Sequence, residues 1–223
     1  WVARKLPETL HPEDRTPIAV GPILTAFRTC LTTRQSVGYM LAMTFVIGSL
    51  FGFINAAQQL FQDVFRASEL FTVIFAVIAG FMALASFLNS RIVERYGMRR
   101  VSHTALVFYL VVTLAHGAVA LAGHETMMVF ALFQCAAMFG FGLMASNFGA
   151  MAMDPLGHVA GTASSVQGFV STVGGALIGF AIGQQFDGTA VPVVLGFAGC
   201  GVAALAMVLF AEKGLLFRPQ AGR

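Results

Sequence analysis

The charged residues of this chain are spaced so that they leave six long stretches without any charge. No Asp, Glu, Lys or Arg lies within six successive intervals: Arg34 to Asp63, Glu69 to Arg91, Arg100 to Glu125, Glu125 to Asp154, Asp154 to Asp187, and Asp187 to Glu212. Each interval holds at least 21 residues, and a helix needs roughly 20 apolar residues to cross the hydrocarbon core of a bilayer. The spacing therefore predicts six membrane spans, near 36–58, 69–90, 103–123, 126–148, 164–184 and 191–211.

The composition supports membrane helices over the alternatives. Hydrophobic residues make up 57% of the chain and charged residues 10%, whereas about 25% of a soluble domain is charged. Strands of a membrane barrel are about 10 residues long and alternate in polarity, but these segments are longer and apolar all round. We expect an all-α membrane protein, and the net charge of +3 does not indicate a nucleic-acid partner.

The basic residues predict the orientation of the spans. If the first 34 residues are cytoplasmic, 12 of the 13 Lys and Arg residues lie on the cytoplasmic side and only Arg66 lies outside. Cytoplasmic loops are enriched in these residues. We therefore expect a multi-pass protein of the inner (plasma) membrane with both ends of this segment in the cytoplasm.

The chain divides into a polar beginning and a bundle of spans. Residues 1–34 are predicted to be a cytoplasmic linker with a short amphipathic helix, and residues 35–223 a six-span bundle. Leu24, Phe27 and Leu31 share one helical face, which suits a helix on the membrane surface or an extension of the first span. The chain begins with Trp1 and not Met, which suggests a fragment with sequence missing upstream.

The order of the spans and their small residues predict how the bundle is built. The first triplet of spans starts inside and the second triplet starts outside, so the second is inverted relative to the first, as in many secondary transporters. Small residues four positions apart let helices approach closely in lipid. Such pairs occur at Gly48 and Gly52, at Gly175 and Gly179, and at Gly199 and Ala203.

Residues 91–100, between the second and third spans, form the most specific local motif. They resemble the loop signature of major facilitator transporters, with the matching positions at Glu94, Arg95, Gly97, Arg99 and Arg100. Gly97 suits a tight turn at positive φ. The arginines are able to bind carbonyls at helix ends, and Glu94 is able to pair with one of them, which suggests a conformational switch. Alternatively, the arginines only anchor the topology.

A second run, 153–168, carries a closer resemblance. Asp154 and Pro155 suit a helix start, and Thr162 or Ser164 is placed to cap the fifth span. With 174–179, Asn89–Arg91 and Leu6–Leu10, the run is similar to the Bcr/CflA-type multidrug efflux transporters. The cytoplasmic loop motif of this resemblance comprises Asp154, Gly157, His158 and Gly161.

The resemblance covers essentially the whole chain, as the C-terminal half of a twelve-span protein. It implies proton-driven export of small drug-like molecules, antibiotics among them, by an antiporter that needs a missing N-terminal six-helix half. It also implies that the proton-coupling acid lies in that half, and no acid falls within any span here. No cofactor or metal is expected. His116, the only histidine well inside a span, is expected to be packed or near the outer end of its helix.

Polar residues within the spans are candidates for a substrate path. They are Asn55, Gln59, Gln134, Asn147 and Gln167. Such side chains must face protein or water and not lipid, so they border a transport cavity or form hydrogen bonds between helices.

Three other functions remain as alternatives. An intramembrane enzyme would carry HExxH, GxSxG or paired acids within spans, and none is present. A channel or a non-transporting membrane scaffold is the second alternative, but the chain has no recognisable filter segment, and the inverted plan favours a transporter. A sugar or organic-acid permease of the same superfamily is the nearest competitor of an exporter.

Overall fold

The computed structural model describes residues 20–217, and almost all of them are helical. Seven α-helices occur within this range: α1 Val20–Thr32, α2 Arg34–Gln59, α3 Phe71–Tyr96, α4 Met98–Leu121, α5 Met127–Met153, α6 Ala160–Gly183 and α7 Val191–Ala211. A π-helix, Leu60–Val64, prolongs α2. One 3₁₀ helix, Ser68–Leu70, precedes α3. A second, Asp154–Val159, joins α5 to α6.

Within residues 20–217, five continuous helical stretches are long and apolar enough to cross a membrane. One of them, Met127–Gly183, is 57 residues long and consists of α5 and α6, which meet at a kink where Leu156 leaves the helical conformation. The five stretches therefore correspond to six spanning helices, α2 to α7. The prediction of an all-α bundle with six spans is confirmed.

The packing of these helices follows an inverted repeat. Exchanging the triplet α2–α3–α4 with α5–α6–α7 maps the contact of α2 with α6 onto that of α5 with α3, and the contact of α2 with α7 onto that of α5 with α4. All four are major interfaces of the bundle. The remaining large contacts, α4 with α7 and α2 with α5, map onto themselves. Apart from α4 and α5, consecutive spanning helices such as α3 and α4 touch much less, so most of the large interfaces join helices that are not adjacent in sequence.

Glycines set the close approach of α2 and α6. A Cβ on Gly48 would lie 2.6 Å from Ile178, and a Cβ on Gly179 would lie 2.5 Å from the Cβ of Phe51. Small residues at such positions let van der Waals contacts form between backbones in lipid. This confirms the predicted helix contacts of these two spans.

The pair predicted at Gly199 and Ala203 is wrong at Gly199. A Cβ built there would have no neighbour within 4 Å. The reason is that α7 buries the opposite face of its helix, with Phe197, Ala204 and Val208 in the core.

The connections at one end of the bundle are shorter than predicted. We expected loops over 91–102 and 149–163, but α3 continues to Tyr96 and α4 starts at Met98. Likewise α5 runs to Met153, and α6 starts at Ala160 without a side-chain cap. Neither Thr162 nor Ser164 caps it, and the Ser164 hydroxyl donates to the Gly161 carbonyl at 3.0 Å. Charges mark the edge of the hydrocarbon, but helical hydrogen bonds continue past that edge.

The helix α1 is separate from α2, because Thr33 between them has an extended conformation. Leu24, Phe27 and Leu31 are exposed on it, while Ala26 and Cys30 are buried. The predicted linker residues 1–19, with Leu6–Leu10, lie outside the described residues.

One end of the bundle collects most of the basic residues that the structure describes, and we call it the basic end. The start of α2, the α3–α4 turn, the end of α5 and the end of α7 meet there. Arg34 Nε donates to the Phe210 carbonyl at 2.5 Å, and Gln35 Nε2 donates to the Met151 carbonyl at 3.0 Å. The opposite end carries Asp63, Arg66 and Glu69.

Candidate functional site

The turn between α3 and α4 consists of a single residue, Gly97. Its φ is 78° and its ψ is 150°, a region that side-chain-bearing residues rarely adopt. The Gly97 N–H still donates to the Val93 carbonyl at 2.8 Å, which closes the last turn of α3. The prediction of positive φ at Gly97 is confirmed, and the sharp turn brings Arg99 to the start of α4.

Arg99 forms a largely buried ion pair at the basic end. Its Nε lies 2.8 Å from Oε1 of Glu212, the residue that follows α7, and the Glu212 side chain is 5% exposed. The Tyr39 hydroxyl of α2 donates to the same oxygen at 2.6 Å. One carboxylate therefore joins the starts of α2 and α4 to the end of α7.

His103 extends this arrangement. Its Nδ1 accepts a hydrogen bond of 3.1 Å from the backbone N–H of Phe217, and its Nε2 lies 2.9 Å from the Tyr39 oxygen. Because a backbone N–H only donates, Nδ1 carries no proton here, so the ring is neutral and Nε2 donates to Tyr39. We call Tyr39, Arg99, His103 and Glu212 the basic-end cluster.

The other residues of the 91–100 motif lie on the surface. Glu94, Arg95 and Arg100 are exposed, and within the described residues the carboxylate that pairs with this motif is Glu212 and not Glu94. The expected pairing of Glu94 with a loop arginine is thus replaced, because Glu94 lies on α3 away from the α7 end. The guanidinium of Arg95 lies over the Tyr96 ring, 5.4 Å from its centre.

The residues of the second motif form the connection between α5 and α6. Asp154 ends α5 and opens the 3₁₀ helix, in which Leu156 is buried. Asp154, Gly157, His158 and Gly161 are exposed, so the motif forms part of the surface at the basic end.

Gln167 is the one substrate-path candidate that lines a described cavity. This cavity has a volume of about 360 Å³ and lies between α2, α5 and α6, with Met43, Met153, Ser164, Gln167, Ser171 and Thr172 in its wall. The Gln167 Nε2 donates to the Gly149 carbonyl at 3.3 Å and lies 3.6 Å from the Met43 sulfur. The Ser171 hydroxyl has no hydrogen-bond partner among the described residues.

The other four candidates lie elsewhere. Asn147 and Asn89 exchange amide hydrogen bonds of 2.8 and 3.2 Å between α5 and α3, which is the interhelical arrangement considered as the alternative. Gln134 is buried, and its Nε2 has no partner in the described part of the chain. Asn55 and Gln59 are exposed on α2 towards the opposite end.

The sequence alone did not indicate Tyr39, His103, Glu212 or Asn89 as a site. Glu212 carried the one available signal, since it is the first acid after the last span. His116, by contrast, lies near the opposite end of α4 as expected, with its Nε2 3.0 Å from Oε1 of Glu125 and its ring stacked on Phe133.

Comparison with known proteins agrees with this architecture. The family model described as "Major Facilitator Superfamily" matches residues 1–179. The "Uncharacterized MFS-type transporter YdgK" of Bacillus subtilis (strain 168) is 27% identical over 203 residues, which are 86% of this chain and 48% of that protein. The "Bicyclomycin resistance protein homolog" of Haemophilus influenzae is 27% identical over 209 residues, which are 92% of this chain and 52% of that protein.

No solved structure matches the chain significantly. The chain spans about half the length of the curated relatives it matches. The six spanning helices, their inverted packing and the family match over residues 1–179 lead to one conclusion: this chain belongs to the major facilitator superfamily.

Proposed function

We propose that this chain forms the C-terminal half of a proton-coupled exporter of small, amphipathic, drug-like molecules. The observation that carries the proposal is the cavity between α2, α5 and α6. The relative from Haemophilus influenzae supports the direction of transport, because its name refers to bicyclomycin resistance.

The wall of this cavity suits a neutral or amphipathic substrate. Its volume of about 360 Å³ lies within the range of small-molecule sites, roughly 300–1,000 Å³. The thioethers of Met43 and Met153 are polarizable and adapt to irregular shapes. The Gln167 amide and the Ser171 hydroxyl offer directional hydrogen bonds, and no charged side chain is in the described wall.

The basic-end cluster and the 91–100 motif supply the conformational switch of this proposal. Arg99 and Glu212 hold the ends of α4 and α7 together, and an opposite state of the transporter would separate them. Glu94 and Arg95 are exposed and free to contact the other half of the transporter at this surface. The acid that couples transport to protons belongs to that other half.

The proposed location is the inner (plasma) membrane, with the basic end in the cytoplasm. Arg34, Arg91, Arg95, Arg99 and Arg100 lie at this end, and Arg66 lies at the other. This distribution follows the positive-inside rule.

Efflux by the full-length protein tests the proposal. In cells that lack other drug pumps, we expect the wild type to lower the accumulation of bicyclomycin or another amphipathic drug, and a protonophore to abolish the effect. Gln167→Leu should reduce efflux about two- to tenfold, the effect of one lost hydrogen bond of roughly 0.5–1.5 kcal/mol. The matched control is Gln185→Leu, because Gln185 is exposed beyond α6 and its side chain bonds only to the Ala181 carbonyl among the described residues.

Two outcomes would overturn the proposal. Equal efflux by Gln167→Leu and wild type would show that the cavity is not part of the transport path. Uptake of a sugar or organic acid, or correct insertion without any transport, would favour a permease or a scaffold respectively.

A further inference from the structure

We propose that a groove between α3, α4 and α5 at the basic end binds one anionic phospholipid. The groove has a volume of about 380 Å³. Ile92 and Tyr96 of α3, Arg100 and Phe108 of α4, and Phe139 and Leu143 of α5 form its wall.

The groove results from the way α3 and α4 separate. One residue, Gly97, joins these helices, yet each packs mainly on α5 and they touch each other little. A wedge therefore opens between them, with α5 as its floor. In α3 only 11% of the most apolar stretch is buried, so this helix leaves one flank of the wedge uncovered.

The wall of the groove is charged at one end and apolar along the rest, as is a phospholipid with its headgroup and acyl chains. Arg100 lies at the end nearest the Gly97 turn, and Phe108 lies eight residues further along α4, about 12 Å deeper at a helical rise of 1.5 Å per residue. Between them the wall is almost entirely apolar. The part of an acyl chain nearest the headgroup fits this length, and the phosphate of the headgroup would reach Arg100.

The charge at the mouth favours an anionic headgroup. Arg100 lines the groove and is exposed, as are Arg91 and Arg95 near the end of α3, and no described acid forms an ion pair with these three arginines. Arg99 is different, because Glu212 neutralises it. Basic pockets between helices at the inner leaflet bind anionic headgroups, and Tyr96 has the amphipathic ring typical of the membrane interface.

The position of the groove favours a lipid over a transported drug. Its wall shares no residue with the cavity that contains Gln167. Val107 and Val111, which share a face of α4 with Arg100 at helical spacing, are exposed and suit contact with acyl chains. Free phosphate would use Arg100 but leave the apolar wall empty.

Native mass spectrometry of the purified full-length protein tests this site directly. We expect the wild type to retain phosphatidylglycerol in preference to phosphatidylethanolamine with the same acyl chains. Arg100→Gln should lower the affinity for phosphatidylglycerol about fivefold, as expected for one basic residue at an anionic surface, and should leave phosphatidylethanolamine unchanged. Thr104→Phe, at an exposed position in the wall, should fill the groove and weaken both lipids.

The control is Arg28→Gln, which removes an exposed arginine from α1, near α6. An equal loss in Arg28→Gln and Arg100→Gln would show diffuse attraction to the basic end and overturn the site. So would unchanged binding in Thr104→Phe, displacement by millimolar inorganic phosphate, or competitive displacement by a transported drug. Because binding is measured without transport, failure of this proposal is distinct from failure of the proposed function.

Discussion

Single glycine positions determine how closely α2 and α6 approach, and Gly179 is the tightest of them on α6. A Cβ there would lie 2.5 Å from the Phe51 Cβ and 2.8 Å from the Gly52 nitrogen. Because one of these atoms belongs to the backbone, a rotamer change does not relieve the clash. The two helices would have to separate, and every contact along their interface would weaken.

We therefore expect Gly179→Ala to lower the free energy of unfolding by about 1–3 kcal/mol, the usual cost of overpacking. Gly199→Ala is the matched control, since its Cβ would meet open space and Ala favours the helix by roughly 0.5–1 kcal/mol. Denaturation in mixed detergent micelles measures both variants. Equal stability of the two variants would contradict the close packing of α2 on α6.

The basic-end cluster joins the ends of three helices, α2, α4 and α7. A carboxylate that is 5% exposed loses most of its hydration, and Arg99 and Tyr39 replace that hydration with two short hydrogen bonds. Removing one partner of a buried pair costs about 3–5 kcal/mol, whereas removing both often costs little. The cluster therefore acts as a unit and not as independent contacts.

A double-mutant cycle tests this coupling. We expect Arg99→Gln and Glu212→Gln each to destabilise the protein more than Glu94→Gln, which alters an exposed acid and should stay within about 0.5 kcal/mol of wild type. The double variant Arg99→Gln/Glu212→Gln should be more stable than the sum of the single effects allows. Strict additivity would mean that the two residues do not interact in the folded protein.

The same elements show which features a sequence alone is able to predict. The six spans were predictable, because a charge within the hydrocarbon costs several kcal/mol and so marks every boundary region. The helix ends were not, because helical hydrogen bonding carries α3 six residues beyond the predicted end at residue 90.

Side-chain partners were harder to predict than positions. Gln167 stood out as a polar residue in an apolar span, and it does line a cavity. Asn147 stood out equally, but its partner Asn89 lies 58 residues away. The cluster of Tyr39, His103 and Glu212 depends on three helix ends meeting, which is a property of the packing and not of local sequence.

The whole molecule has a basic end and an opposite end. The labelling of accessible thiols is able to report which end faces the cytoplasm. The native residues Cys30, Cys135 and Cys200 are buried, and burial raises the pKa of the Cys30 thiol, which slows its reaction. A cysteine introduced at an exposed position would therefore dominate the labelling by an impermeant thiol reagent.

We expect Thr189→Cys, at the opposite end, to be labelled in intact spheroplasts. Lys213→Cys, at the basic end, should be labelled only after the membrane is permeabilised. Both positions are exposed, so the pair controls for accessibility within the protein. The reverse pattern would invert the proposed orientation.

The hydrogen bonds from Arg34 to Phe210 and from Tyr39 to Glu212 have a consequence for chain connectivity. They place α2 and α7, the first and last spanning helices, side by side at one end. The start and the end of the six-helix segment are therefore close to each other. The identity of each helix's neighbours is independent of where the polypeptide starts. A circularly permuted chain, joined between residues 212 and 34 and reopened at the turn around Gly188, would lose α1 but keep the contacts among α2 to α7 described here.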